Sequence, residues 1–280
     1  MRIHFFTIVL NGMPFIQAQY AFMRSLTEYG IDWSWHIVEG VADLKHDTSW
    51  SVANGATITE RLHTNGLSND GTTEFLNQIE EQDRPFIKLY RKPAGEFWDG
   101  KLEMVNAPLG NVPPGSLLWQ LDVDEFWTPS QIDTIRELFL RDLQLTSAMF
   151  WCDFFVGPNL KVVNRRCYGN HPEYEWKRVH RMATDSRWLS HEPPVMTGTN
   201  GKCLSHRETE DLGCVFKHQA YVMKKQLAFK EDYYGYCGAV GCWQRLQEAK
   251  MPVMLKDFFP WVHDNAIVDY SGASDEEETT

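Results

Sequence analysis

Short apolar runs punctuate the first half of the chain. Each run is long enough for a buried strand and too short for a helix. The runs predict strands at Ile3–Leu10, Trp33–Val38, Phe86–Tyr90, Leu117–Val123 and Ala148–Val156.

The segments between these runs follow helical spacing. Pro14, whose missing N–H suits the first turn of a helix, begins a segment that Gly30 ends. The apolar residues of this segment share one side, on which Gln19 is the polar exception. Further helices are predicted at Thr72–Gln82 and at Ile132–Leu143.

This alternation of strands and helices predicts an α/β fold with a mainly parallel, Rossmann-like sheet flanked by helices. Ligands on such sheets bind beyond the carboxyl ends of the strands. We therefore expect function just after the strands, at Asn11, at Glu39 and in the segment Asp122–Glu125.

Composition and charge narrow the classes of partner. The 280 residues carry 27 Lys and Arg against 38 Asp and Glu, and the resulting net charge of −11 disfavours binding of nucleic-acid phosphates. No apolar run approaches the ~20 residues of a membrane span, and no secretory leader is visible. The six scattered cysteines include no CxxC pair, and we expect them as reduced thiols in the cytoplasm.

The strongest chemistry lies in Leu117–Trp127, where an apolar strand leads into an acidic motif. Strand alternation places Asp122 and Asp124 on the same side. Two such carboxylates repel each other unless a cation lies between them, and hard oxygen ligands suit Mg²⁺ or Mn²⁺. An acidic turn that caps the next helix is the simpler alternative. A phosphotransferase of the haloacid-dehalogenase type, with Asp122 as nucleophile, is a third, although that family normally has Thr or Val where this chain has Phe126.

Several motifs, taken in their order along the chain, resemble the GT-A glycosyltransferases, specifically the family 2-like group. The resemblance covers roughly residues 1–234. The matching segments are Thr7–Ile16 (opening strand and helix start), Glu39 (acidic residue after the second strand), Ser68–Thr72 (Asp-Gly-Thr turn), Lys101 with Asn106 (the Lys/Arg…Asn pair), Asp122–Asp124 (Asp-x-Asp), His191 with Glu192 (the His-Glu pair of a lipopolysaccharide-core-type branch) and Phe216–Tyr234 (downstream His segment).

The resemblance implies a GT-A-like, metal-dependent and inverting enzyme of the hexosyltransferase type. Such an enzyme moves a sugar from a nucleotide-diphosphate sugar to the hydroxyl of a sugar, a glycan or another acceptor. The donor contacts that it implies are Asn11, Glu39, Lys101, Asn106 and Asp122.

The resemblance also implies a metal site and a base. Asp124 and His218 would hold Mn²⁺ or Mg²⁺, which neutralises the leaving diphosphate. Glu192 would be the general base that removes the acceptor proton. Alternatives to His218 are His180, His206 and His263, and alternatives to Glu192 are Asp153, Glu231 and Asp232.

A single GT-A-like domain is predicted over 1–268, with a donor-nucleotide half at 1–127 and an acceptor half at 128–268. Residues 269–280 read as an acidic, disordered tail.

Trp188 is the candidate for stacking on an acceptor sugar. A basic cluster is predicted to meet either phosphate or solvent, and its members are Arg165, Arg166, Lys177, Arg178 and Arg181. A non-catalytic carbohydrate-binding protein with a transferase-like fold is the remaining alternative.

Overall fold

The computed structural model describes residues 1–43, 45, 58–172 and 176–272. Within them the chain forms fifteen strands and seven α-helices. Strands β1 to β15 are, in order, Ile3–Val9, Trp33–Glu39, Ile87–Tyr90, Leu117–Gln120, Glu125–Phe126, Leu145–Met149, Cys152–Gly157, Leu160–Val162, Lys177–Arg181, Trp188–Ser190, Val195–Met196, Lys202–Leu204, Phe216–His218, Val253–Met254 and Ile267–Tyr270. Helices α1 to α7 are Phe15–Glu28, Thr72–Gln82, Gly100–Asn106, Pro129–Arg141, His206–Asp211, Lys224–Tyr234 and Ala239–Glu248.

A seven-stranded sheet forms the centre of the molecule, in the order β12-β6-β9-β4-β1-β2-β3. Strands β4, β1, β2 and β3 run parallel to one another, and β9 is inserted antiparallel between β4 and β6. The predicted α/β class with a mainly parallel sheet flanked by helices is confirmed. The carboxyl ends of β1, β2 and β4 consequently meet at one edge of this sheet.

Both faces of the central sheet are covered, which explains the uninterrupted apolar runs of its strands. Ile3 and Phe5 of β1 face the cluster that contains Ile16 and Met23 of α1. Phe6, on the opposite face, belongs to a separate buried cluster. Side chains that alternate along β1 are therefore apolar on both sides, and only a strand packed between two layers has this pattern.

A second, six-stranded sheet has the order β14-β15-β8-β7-β13-β5. Its short strand β5 follows β4 directly and pairs antiparallel with β13, so that Glu125 lies opposite His218. The segment just after the Asp-x-Asp motif therefore lies beside β13, the strand that contains His218. Strands β10 and β11 form a separate two-stranded hairpin.

The structure differs from two strand predictions. β4 ends at Gln120, three residues before the predicted end, because the chain turns at Val123 and Asp124, where the Glu125 amide donates to the Asp122 carbonyl at 3.0 Å. The single predicted strand Ala148–Val156 is two strands, Leu145–Met149 in the central sheet and Cys152–Gly157 in the second sheet. Its apolar residues are continuous because both strands are largely buried, so the sequence carries no mark of the break.

The last described strand, Ile267–Tyr270, runs past residue 269, where the sequence places the start of the tail. Residues 273–280 of that tail lie outside the described residues, and the division into donor and acceptor halves stays a prediction. None of the helices in the described part of the chain is long and apolar enough to cross a membrane.

Candidate active site

The turn that follows β4 is held from below by two polar side chains. Thr7 Oγ1 of β1 donates to the carbonyl of Leu121 at 2.7 Å. Gln19 Nε2 of α1 donates to the carbonyls of Asp122 and Val123 at 3.3 Å each, and also to that of Glu125. The amide of Gln19 therefore anchors this turn to α1 through the backbone carbonyls of the turn.

Arg178 separates the carboxylates of this turn into two groups. Its guanidinium lies 2.6 Å from Oδ2 of Asp122 and also contacts Oε1 of Glu125. Burial alone raises the pKa of Asp122, but the positive charge of Arg178, with contributions from His191, His218 and the Gln120 amide, outweighs burial and lowers it to about 2. Burial raises the pKa of Glu125 to about 7 although Arg178 opposes the rise. For Asp122 and Glu125, the positive charge that offsets the carboxylates is therefore supplied by the Arg178 side chain and not by a metal ion.

Asp124 faces away from Arg178 and toward a cleft. Its Oδ1 lies 3.4 Å from Nε2 of His218, and its Oδ2 accepts from Nε2 of Gln226 at 3.4 Å. Burial alone lowers the pKa of His218, but the charge and hydrogen bond of Asp124, together with the charges of Glu125 and Asp122, outweigh burial and raise it. The other ring nitrogen of His218, Nδ1, is buried and has no hydrogen-bond partner among the described residues.

The cleft has a volume of about 410 Å³ and lies beyond the carboxyl ends of β1, β2 and β4. Its apolar wall includes Val9, Leu62 and Phe229. Charged side chains of both signs also line it. They are Asp70, Lys101, Asp124, Lys225, Lys230 and Asp232.

Asn11 and Glu39 organise one wall of the cleft. Asn11, which lines the cleft, donates from Nδ2 to the Leu62 carbonyl at 2.7 Å and accepts at Oδ1 from the Asn69 amide at 2.9 Å. Glu39 is fully buried, and its Oε2 lies 2.6 Å from Arg91. The contacts of both side chains fix the loop that approaches α2.

Lys101 and Asn106 both belong to α3, but Lys101 lines the cleft whereas Asn106 contacts strand β10. Lys101 is 8% exposed, lines the cleft and has its Nζ 5.0 Å from the ring centre of Tyr234. Asn106 accepts from the Trp188 amide at 3.0 Å and donates to the Trp188 carbonyl at 3.2 Å. Asn106 thereby joins α3 to β10.

Glu192 follows the hairpin strand β10, and its side chain is 39% exposed. The Nδ1 atom of the buried His191 lies 3.6 Å from Oε1 of Glu192. Nε2 of His191 lies 3.4 Å from Nε2 of Gln120, the last residue of β4. Nδ1 of His191 makes no hydrogen bond within the described part of the chain, so Glu192 lies beside, rather than bonded to, a histidine that contacts β4, the strand that leads into the Asp-x-Asp motif.

Among the alternative bases, Asp232 lines the cleft. Asp153 lies in the second sheet and pairs with Lys161 at 3.4 Å. Glu231 accepts from the backbone amide of Val240 at 3.0 Å, at the start of α7. Of these three, Asp232 has the position that suits a reaction in the cleft.

The predicted basic cluster is dispersed. Arg178 is buried at the site, Arg181 donates to backbone carbonyls of Phe139 and Leu145, and Arg165 contacts Glu210 at 3.1 Å. Trp188 is 1% exposed, so the prediction that it stacks on an acceptor is wrong. The sequence around Trp188 does not indicate burial, but in the structure its ring packs against Phe6.

Sequence reasoning passed over several residues of the site. Gln19 carried a signal, since it is the one polar residue on an apolar helix face. Lys225 and Lys230 of α6, which line the cleft, carried none, because a lysine in a helix is normally solvated. The pairing of Arg178 with Asp122, across 56 residues of chain, requires the fold.

Asp124 and His218 fit a partial site for a divalent ion. No three His, Cys, Asp or Glu residues in the described ranges form a metal-binding group. Ions such as Mg²⁺ are commonly held by one or two carboxylates, while phosphates and water complete the coordination. Atoms 3.4 Å apart can both reach one ion at about 2.1 Å. The pair therefore fits the protein's share of a site that a substrate completes.

Comparisons with known proteins returned matches among solved structures alone. No protein-family model matches the chain, and no curated protein matches it either. S. aureus TarS 1-349 is similar in structure, with 12% identity and a TM-score of 0.41 over 65% of this chain and 47% of TarS 1-349. Its complex with UDP-GlcNAc gives 11% identity, a TM-score of 0.41 and coverage of 65% and 45%.

A mannosyltransferase from Pyrobaculum calidifontis, in complex with GDP-Man and Mn²⁺, is similar over 92% of this chain and 67% of its own, with 10% identity and a TM-score of 0.46. This chain spans less than half of the two TarS structures. At these identities and TM-scores, the similarities assign no activity, ligand or residue role to this chain.

Proposed function

We propose that this protein is a metal-dependent glycosyltransferase of the hexosyltransferase type. It transfers a sugar from a nucleotide-diphosphate sugar to an acceptor hydroxyl, with inversion at the anomeric carbon as the GT-A, family 2-like resemblance implies. One observation carries the proposal: a cleft of about 410 Å³ at the carboxyl ends of parallel strands, into which Asp124 projects beside His218. We also keep the cytoplasmic location that the sequence predicts.

In this proposal the donor diphosphate lies between acidic and basic side chains. Asp124 and His218 would hold Mn²⁺ or Mg²⁺, which neutralises the charge of the leaving diphosphate when bound. Lys101, Lys225 and Lys230 line the same cleft and supply further positive charge. A protein with a net charge of −11 can therefore still bind a dianionic donor.

The other donor residues divide into contact and support. Asn11 lines the cleft and is proposed to contact the donor directly. Glu39 and Asn106 are proposed to act by fixing the loop before α2 and the hairpin β10–β11, since Glu39 binds Arg91 and the Ser68 amide, and Asn106 binds the backbone of Trp188. Asp122 is proposed to reach the donor while Arg178 keeps its carboxylate ionised.

Glu192 is the proposed base. It is half-exposed, adjoins the buried His191, and carries a carboxylate that can accept the proton of an acceptor hydroxyl as the new bond forms. Asp232 is the competitor because it lines the cleft. Glu192→Gln should keep donor binding and lose transfer, whereas Asp232→Asn should keep both. The reverse pattern would move the base to α6.

Metal-dependent nucleotide binding tests the central claim. Thermal unfolding is measured with UDP or GDP, with and without Mn²⁺, for the wild type, for Asp124→Asn and for Asp185→Asn, whose side chain is exposed. A ligand at a hundredfold excess over its Kd stabilises a protein by ~2.7 kcal/mol. We expect this stabilisation for the wild type and Asp185→Asn, its reversal by EDTA, and its loss in Asp124→Asn. Equal stabilisation of all three proteins without Mn²⁺ contradicts the proposal.

The phosphotransferase alternative requires Asp122 as a free nucleophile. Oδ2 of Asp122 is bound by Arg178 at 2.6 Å, and Oδ1 faces the Gln120 amide at 3.4 Å. An oxygen engaged in this way is a poor nucleophile, so the geometry favours the transferase. The non-catalytic alternative predicts glycan binding that Mn²⁺ and EDTA leave unchanged.

A further inference from the structure

Gln120 is a buried polar residue that the proposed mechanism leaves unexplained. It is 2% exposed, at the end of β4. Its Nε2 lies 3.4 Å from Oδ1 of Asp122 and 3.4 Å from Nε2 of His191. Its Oε1 is buried without a hydrogen-bond partner among the described residues. Burying an amide in this way costs free energy, so its orientation calls for a reason.

The neighbours of Gln120 determine which of its two terminal atoms is the nitrogen. The oxygen of a side-chain amide only accepts hydrogen bonds and its nitrogen only donates them, so the partners of each atom show which is which. Asp122 is bound by Arg178 at 2.6 Å, so its carboxylate is ionised and Oδ1 can only accept. The Gln120 atom that faces both Asp122 and His191 must therefore be the NH₂ group.

This orientation determines where His191 carries its proton. A neutral imidazole has one N–H donor and one acceptor nitrogen. Because Gln120 donates to Nε2, the proton of His191 resides on Nδ1, the atom that lies 3.6 Å from Oε1 of Glu192. We propose that Gln120 is a positioning residue that sets the tautomer of His191, so that its Nδ1–H is aimed at the carboxylate of Glu192.

The charges around the imidazole agree with a neutral ring. Burial lowers the pKa of His191, Lys101 and Arg178 act in the same direction, and Glu192 and Asp122 oppose them. Arg178 of β9 and Tyr236, which follows α6, are among the groups that interact electrostatically with Glu192. Contacts of 3.4 Å therefore connect Asp122, Gln120 and His191, and the Glu192 carboxylate lies 3.6 Å from Nδ1 of His191, within electrostatic reach but beyond hydrogen-bond distance.

This arrangement has a consequence for the reaction. The inference rests on the proposed function only in naming Glu192 as the base. A donor N–H beside a carboxylate favours its ionised form, which is the form that can take a proton. Removing the donor should raise the pKa of Glu192 and move the acidic limb of the rate profile to higher pH.

A direct readout of the tautomer tests the proposal without any substrate. Two-bond ¹H–¹⁵N correlation spectra of ¹⁵N-histidine-labelled protein at pH 8 distinguish the two neutral forms, and the His191→Asn spectrum identifies the resonance. We expect Nδ1–H in the wild type and in Gln17→Leu, whose side chain is exposed, and a shift toward Nε2–H in Gln120→Leu. Nε2–H in the wild type, or no change in Gln120→Leu, overturns the proposal.

Two variants of His191 test the role in catalysis even if Gln120→Leu fails to fold. Asparagine places an amide N–H near the position of Nδ1, and glutamine places one near Nε2. Relative to His191→Asn, His191→Gln should lose about tenfold or more in kcat, with the KM for the donor little changed. Its acidic limb should also rise by about 1 pH unit. Equal behaviour of the two variants excludes the aimed N–H.

The two proposals can fail separately. If no nucleotide sugar is turned over but the wild type shows Nδ1–H and Gln120→Leu changes it, the function is wrong and the positioning role is right. If transfer occurs and the wild type shows Nε2–H, the positioning role is wrong alone.

Discussion

At the scale of single residues, Arg178 governs the carboxylates that follow β4. It is 3% exposed and contacts both Asp122 and Glu125. Repulsion between carboxylates at one strand end is thus relieved inside the protein for these two. Asp124, which Arg178 does not contact, has its charge directed into the cleft. Arg178 neutralises Asp122 and Glu125, so Asp124 is the carboxylate of this segment that is available to bind a metal.

Replacing Arg178 tests this arrangement. Arg178→Met leaves the buried carboxyl of Glu125 and the partly buried carboxyl of Asp122 without their cation, and loss of one partner of a buried ion pair costs about 3–5 kcal/mol. The measurement is the free energy of unfolding in urea. Arg136→Met is the matched control because Arg136 also joins two carboxylates, those of Asp133 and Glu137, but at the surface of α4.

The control should lose about 0–1 kcal/mol. Losses of the same size in both variants would show that the buried position of Arg178 has no special effect. Partial recovery of stability in Arg178→Met combined with Glu125→Gln would attribute the loss to the unpaired charge rather than to packing.

At the scale of elements, helix α6 forms one side of the cleft, and its Tyr233 ties it to the backbone just after β2. Tyr233 Oη donates to the Ala42 carbonyl at 2.8 Å and accepts from the Ala42 amide at 3.2 Å. The Tyr233 ring also stacks on Phe229, with ring centres 5.0 Å apart. Because Tyr233 and Phe229 both line the cleft, this contact joins the α6 wall of the cleft to the backbone at Ala42.

Tyr233→Phe should remove the tie while keeping the ring. Two buried backbone groups lose their partner, at a cost of about 1–3 kcal/mol. Hydrogen exchange should show faster exchange at the Ala42 amide and along α6. Tyr29→Phe is the control because Tyr29 is 52% exposed. Unchanged exchange at Ala42 would mean that the surrounding bridge to Trp98, rather than Tyr233, holds this loop.

Elements also show what sequence can and cannot predict here. Thr72–Gln82 was predicted with the observed bounds, and β1 was predicted to within one residue, because helical periodicity and a buried apolar run are local signals. The run Ala148–Val156 misled because two buried strands in different sheets look like one. Local sequence patterns could not predict that Arg178 binds Asp122 and Glu125 but not Asp124, because Arg178 belongs to β9, 53 to 56 residues further along the chain.

At the scale of the whole molecule, neutral histidines are built into the central sheet. His36 donates to or accepts from His4 at 3.0 Å and Tyr90 at 2.9 Å, and His180 is fully buried on β9. Burial lowers the pKa of His36 and that of His180 to about 3, with help from neighbouring positive groups. The folded protein therefore resists protonation at sites that the unfolded chain protonates readily.

The sign of the pH dependence follows from these two pKa values. The unfolded histidine, with a pKa of 6.5, binds a proton at pH 5 that the folded one refuses. Stability therefore falls as the pH drops from about 6.5 toward 3, by up to about 2 kcal/mol per group at pH 5. Glu125, whose pKa is raised to about 7, acts in the opposite direction over part of this range. The net slope for the wild type is therefore less informative than a difference between variants.

His36→Gln isolates one contribution. The free energy of unfolding is measured in urea at pH 5 and at pH 7.5 for the wild type, for His36→Gln and for His263→Gln, whose side chain is exposed. The wild type and the control should lose about 2 kcal/mol more than His36→Gln between the two pH values. Identical losses in all three would mean that His36 takes up a proton in the folded sheet. Protonation of the folded His36 would place a positive charge in a buried site near Lys88 and Arg2. Burial and both of these charges disfavour it.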